Sequence, residues 1–161
     1  MAKENGKSDG RLDLVLTRVV NVPRALIWKA WTQPKHVKKW FTPAPWTTVD
    51  CEIDLRPGGI FRTVMRSPDG QEHTNVGCYL ELIEHEKIVW TDALGPGFRP
   101  STKPFLTAIL TFEDHAGGTR YTARAMHKDD ADRQKHADMG FDVGWSKALD
   151  QLIAIAEHIK E

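Results

Sequence analysis

The stretch from Phe141 to Ile159 reads FDVGWSKALDQLIAIAEHI. Phe141, Trp145, Ala148, Leu149, Leu152, Ala156 and Ile159 recur at three- and four-residue spacing, so they fall on one stripe of a helix. Upstream the period is different. From Thr47 to Leu55 the chain alternates: Val49, Cys51, Ile53 and Leu55 share one face, and Asp50, Glu52 and Asp54 the other. A helix with a single apolar stripe needs a sheet face to cover it, so this change of period decides the fold class.

Working outward, Leu12 to Val20 reads as a first strand, stopped by Asn21-Val22-Pro23. Asn21 is a candidate cap for a short helix over Arg24 to Thr32, and Pro34 opens a second through about Lys39. Thr42-Pro43-Ala44-Pro45 continues no helix. Strands are expected over Thr47 to Leu55, Ile60 to Arg66, Glu72 to Ile83, Lys87 to Leu94, Pro104 to Glu113 and Thr119 to His127. Ser67-Pro68-Asp69-Gly70 reads as a tight hairpin turn with Gly70 at a positive φ. Asp129 or Asp130 is placed to cap a segment before the long helix, and Gly140 to split the two. The expectation is α+β: a curved seven-stranded antiparallel sheet, two short helices and a long C-terminal helix. Residues 1–11 read as a flexible leader and 12–161 as one domain.

Composition bounds the function. Lys plus Arg and Asp plus Glu both total 22, a formal net charge of zero. That argues against bulk attraction to nucleic acid or an anionic membrane, while leaving room for a local patch. No run of 18 apolar residues spans a bilayer, and residues 1–10 lack the apolar core of a signal peptide, so a cytoplasmic location is expected. Cys51 and Cys78 read as reduced, buried residues. The seven histidines are scattered without ligand spacing, and Pro57-Gly58-Gly59 lacks the Lys-Ser/Thr ending of a phosphate loop. No metal or other cofactor is expected, and no nucleophile elbow appears.

Pro23, Ala30-Trp31-Thr32-Gln33-Pro34, Trp40-Phe41, Asp54-Leu55-Arg56-Pro57-Gly58-Gly59, Met65-Arg66-Ser67-Pro68-Asp69-Gly70 and Gly144-Trp145 together resemble the activator of heat-shock-protein-90 ATPase homologue family. That family belongs to the START-related, birch-pollen-allergen-like superfamily. The resemblance runs from about Leu12 to Ile159. It implies a helix-grip fold, with the sheet wrapped around the last helix and a cavity between them. The superfamily hosts binders, carriers, polyketide cyclases and co-chaperones, so the resemblance does not select one activity.

A three-residue hairpin at Pro68-Asp69-Gly70 would set Met65 opposite His73. Phe61, Thr63, Met65, His73, Asn75 and Tyr79 then share a face, joined by Trp90 and Asp92 from the next strand. Arg62 and Arg66 take the opposite face, which places the first set inward. Leu80, Leu82, Val89 and Ala93 pull the other way, and a slip of one residue would invert the assignment. Trp40 and Trp46 flank the Pro-rich segment at the rim, and Trp145 lies on the inward stripe, expected beside Phe61, Met65 or Trp90. The candidate ligand site is therefore Trp40, Trp46, Phe61, Met65, His73, Asn75, Tyr79, Trp90 and Trp145, with Gly95 to Lys103 and Thr42 to Trp46 at its mouth. A small apolar or aromatic molecule fits such a lining. Three function classes stay open: binder or carrier, cavity enzyme of the polyketide cyclase type, and stimulator of a chaperone ATPase. A homodimer and a chaperone partner also stay open.

Overall fold

A computed structural model describes residues 10–160; the expected leader lies outside the described residues apart from Gly10 and Arg11, which enter a single 3-10 turn over Gly10–Leu12. The elements are β1 (Asp13–Val20), α1 (Arg24–Thr32), α2 (Pro34–Trp40), β2 (Thr47–Ile53), β3 (Ile60–Arg66), β4 (Glu72–Ile83), β5 (Lys87–Thr91), β6 (Leu94–Gly95), β7 (Arg99–Pro100), β8 (Thr107–His115), β9 (Gly118–Met126), α3 (Asp130–Asp138) and α4 (Phe141–Ala156). Seven strands form one antiparallel sheet in the order β1-β9-β8-β5-β4-β3-β2. The period-3.6 stripe lies on α4 except for Ile159, which falls beyond the helix end at Ala156; Ala148, Leu149, Leu152 and Ala156 join the main core with Ile88, Leu110 and Phe112 of the sheet.

Local chemistry explains most boundaries. Asp129 caps α3 by accepting from the Asp132 amide, and Gly140 at φ +94° separates α3 from α4. Asn21 makes no cap; Pro23 takes the capping position of α1, and its carbonyl accepts the Leu26 and Ile27 amides. Gly70 adopts φ +92° in the β3–β4 turn, with its amide on the Ser67 carbonyl.

The β3–β4 register is as expected, with Met65 opposite His73 and Phe61 opposite Gly77. Two irregularities depart from simple alternation. The β2–β3 register shifts between Thr48 and Asp50, so Val49 leaves the face of Cys51 and Ile53 and the buried Thr48 takes its place. The β4–β5 register shifts between Tyr79 and Glu81. That bulge at Leu80 changes the parity of β4, so Tyr79 and Leu82 both face the core. It resolves the conflict between the two hydrophobic patterns: each half of β4 follows its own alternation, and the extra residue reconciles them. Arg62 and Arg66 do point outward, to Asp50 and Glu52 and to Glu72 respectively.

Three other spans differ. Leu55 lies beyond β2 and is 42% exposed. β8 begins at Thr107 rather than Pro104, and β5 ends at Thr91 rather than Leu94. The carboxylate of Asp92 explains both shifts: it accepts the Phe105 and Leu106 amides (2.7 and 3.0 Å), closing the segment between the strands at its base. Within that segment β6 and β7 form a miniature hairpin, and the Gly97 amide donates to the Gly58 carbonyl at 2.7 Å.

Candidate functional site

Five elements bring aromatic rings together on the inner side of the sheet. α1 supplies Trp31, the end of α2 supplies Trp40 and Phe41, and β3, β4 and β5 supply Phe61, Tyr79 and Trp90. Phe61 is the hub, with ring centroids 5.5 Å from Tyr79, 5.2 Å from Trp90 and 5.6 Å from Phe41. Tyr79 and Trp90 are cross-strand partners, so their rings flank Phe61 from adjacent strands.

The polar handles of this cluster fall into two sets. Trp40 Nε1 donates to the Ala30 carbonyl at 2.9 Å, and Trp31 Nε1 donates to Tyr121 Oη at 3.1 Å. Tyr79 Oη and Trp90 Nε1 are buried and have no hydrogen-bond partner among the described residues. Leaving a buried donor unmade costs about 1–3 kcal/mol each, and such groups in a folded protein need an explanation. Burial, and after it the neighbouring Cys51, drives the Tyr79 phenol far above its ordinary range, so it stays neutral and donates. Burial and then Asp50 push the Cys51 thiol up to about 11, which makes it an inert apolar wall rather than a nucleophile.

The remaining candidate residues separate into three places. Trp46 packs on His73 with centroids 5.7 Å apart, near the β3–β4 turn. His73 and Asn75 are exposed although they share the inner face of β4, because this end of the hairpin is not covered. Met65, opposite His73, is half-buried between the rim and the hub. Trp40 is in the core, at 3% exposure, with its indole nitrogen already partnered. Trp145 is half-buried on the inward stripe of α4, but its ring neighbours are Phe141 (4.6 Å) and His136 (5.8 Å), not Phe61 or Trp90. The helix stripe sets its direction; its neighbours depend on where α3 folds back.

Two features have little or no signal in the sequence. Phe41 bridges Phe61 and Trp40, and only its adjacency to Trp40 hints at it. His127 and His136 form a buried pair, Nε2 to Nδ1 at 2.9 Å, with His127 Nδ1 2.8 Å from the Leu12 carbonyl. A carbonyl only accepts, so His127 carries its proton on Nδ1 and accepts from His136. Burial, then His127, pushes His136 down to about 4. No sequence spacing marks this pair, because loop and helix geometry bring the two rings together. Among the described residues no three His, Cys, Asp or Glu side chains gather as a metal-binding group, and both cysteines are free. Among the same residues no helix is long and apolar enough to cross a membrane.

A seven-stranded antiparallel sheet gripping a long C-terminal helix, with an aromatic cluster beneath it, defines a helix-grip α+β protein of the START-like class. Residues 21–157 match the family described as "Activator of Hsp90 ATPase homolog 1-like protein", and the chain belongs to that family. A crystal structure of a protein from Nitrosomonas europaea is similar at 43% identity and TM-score 0.91, covering 93% of this chain and 97% of that one. One from Mycobacterium smegmatis is similar at 30% identity and TM-score 0.74, over 92% and 93%. The solution structure of an AHSA1-like protein from Aeromonas hydrophila shares the fold at 18% identity and TM-score 0.68, over 92% and 98%. No curated protein matches the chain.

Proposed function

We propose that this protein is a cytoplasmic binder or carrier of a small, flat, mostly apolar molecule, held between the sheet and α4. Tyr79 and Trp90 would donate to one acceptor oxygen of that molecule. The observation that carries this reading is the pair of buried, unpartnered donors on adjacent strands, set around Phe61. Both handles are neutral donors, so a ketone, ester or amide oxygen suits them better than an ammonium group, which donates only. Phe61 and Phe41 supply apolar faces for the rest of the ligand. Met65, Trp46 and His73 would form the rim by which it enters.

Binding is favoured over acid–base catalysis by the chemistry of the donors. A general acid or base works best with a pKa near the working pH. Tyr79 is held far above neutrality and Cys51 is at about 11. The test uses two probes of the same shape, 2-acetonaphthone and 2-ethylnaphthalene, followed by indole fluorescence and calorimetry. The ketone should bind about tenfold more tightly, the worth of a hydrogen bond or two in a dry site, and Tyr79→Phe with Trp90→Phe should erase that advantage. Equal binding of both probes to the native chain, or no binding of either, would refute the reading.

A further inference from the structure

The neutral formal charge hides a strong segregation. From Leu14 to Val49 the chain carries Arg18, Arg24, Lys29, Lys35, Lys38 and Lys39 and no Asp or Glu. The fold places much of this excess around a cleft of about 580 Å³ between α1, α2 and the C-terminal end of α4. Its walls are Lys29, Lys35, Lys39 and Lys160 with His36 and His158, and its floor is Ala154, Ile155 and Ile159. No acidic side chain lines it among the described residues. The aromatic cluster lies on the other side of α1 and α2, so this cleft is a separate feature.

Part of the charge has a structural use. Lys29 Nζ reaches the Lys160 carbonyl at 3.4 Å, tying α1 to the segment that follows α4. Lys35 and Lys39 serve no such purpose, since both are exposed and make no ion pair among the described residues. The like charges are felt locally, because burial and then Lys35, Lys39 and Lys29 each push His36 down. A concentration of one sign over an aliphatic floor is a poor solvated surface and a good complement to a partner of opposite sign.

We infer that this cleft is a docking site for an acidic protein segment that carries aliphatic residues among its carboxylates. The aliphatic residues would cover Ile155 and Ile159, and the carboxylates would meet Lys35, Lys39, Lys160 and His158. The lining argues against nucleic acid. It offers no exposed aromatic ring on which a base could stack, and no arginine fork for phosphate. The inference is independent of the ligand site under α4.

The experiment is fluorescence anisotropy with a labelled peptide of about twelve residues bearing Glu and Leu at helical spacing. A single-stranded oligonucleotide of equal charge serves as the comparison. The peptide should bind saturably at low ionic strength and weaken as salt rises from about 20 to about 200 mM. Lys35→Glu with Lys39→Glu, both at exposed positions, should weaken it about tenfold or more, with thermal melting confirming an intact fold. Ile155→Ala should weaken it by a smaller factor, and the ring resonances of His36 should shift on titration with peptide. No saturable binding at low salt, equal binding to the charge-reversed protein, or an oligonucleotide bound as tightly as the peptide would each overturn the inference.

Discussion

The two halves of the inner sheet face hold similar aromatic residues and treat them differently. On the half built by β8, β9 and β1, the polar handle of Tyr121 is engaged: its hydroxyl accepts from Trp31 Nε1 at 3.1 Å, inside a layer of Ala108, Ala123 and Ala125 with 0% exposure. On the half built by β3, β4 and β5, Tyr79 Oη and Trp90 Nε1 have no partner among the described residues. Both tyrosines are buried and neutral. The difference separates a closed core, where the tyrosine hydroxyl is paired, from a buried aromatic cluster in which two donors have no partner among the described residues. The first half sets Ala108, Ala123 and Ala125 beside the rings of Phe112 and Tyr121, whereas the second gathers Phe61, Tyr79 and Trp90 with Phe41.

The largest expected effect tests how closed the first half is. His127 and His136 lie at its edge, and His136 is held at about 4 against an ordinary 6.5. The unfolded chain therefore binds this proton more readily than the folded one. The stability it confers is complete above about pH 6.5 and drains away as pH falls toward 4. The loss should approach about 3 kcal/mol, from 1.36 kcal/mol per unit of pKa difference. Urea titrations at pH 7, 5.5 and 4.5 measure it. His136→Phe should flatten that slope while lowering stability at pH 7; an unchanged slope would show that other groups set the acid limit.

A smaller effect sharpens the contrast between the tyrosines. Tyr121→Phe strands the Trp31 indole nitrogen in the core and should cost about 1–3 kcal/mol. Tyr79→Phe removes a group that is already stranded, so it should be neutral or stabilising by up to about 1 kcal/mol. Denaturant midpoints of the two variants give the comparison directly, and equal losses would erase it. Smallest is the exposed edge of the closed half. There Arg18 reaches Asp150 (2.5 Å) and Ser146 on α4. Asp150→Ala should cost about 0.5 kcal/mol or less, because the aspartate is well hydrated. A loss above about 1 kcal/mol in a melting curve would mean that this pair helps clamp α4.

The amino-acid sequence by itself determined the features that depend on near neighbours along the chain. The switch from period two to period 3.6 set strand against helix, because side chains must alternate on a strand and recur every third or fourth position on a helix. Ser67-Pro68-Asp69-Gly70 set the β3–β4 register, since the turn geometry is local. The Asp129-Asp130 pair and Gly140 marked the ends of α3 for the same reason, and the structure chose Asp129 as the cap. It also selected Phe61, Tyr79 and Trp90 as residues of one face. Tertiary structure alone decided the rest. The bulges at Val49 and Leu80 depend on how β2 and β5 pair with their partners, and each inverts the face of every residue beyond it. Whether an indole nitrogen is satisfied depends on a residue far away in the chain: Trp31 found Tyr121, and Trp90 found none among the described residues. The lysines of α2 and the end of α4 are separated by more than a hundred positions and meet only because the last helix returns to the first two. Hydrogen bonding and charge act over a few ångströms of space, whatever the distance along the chain, so no local pattern could announce them.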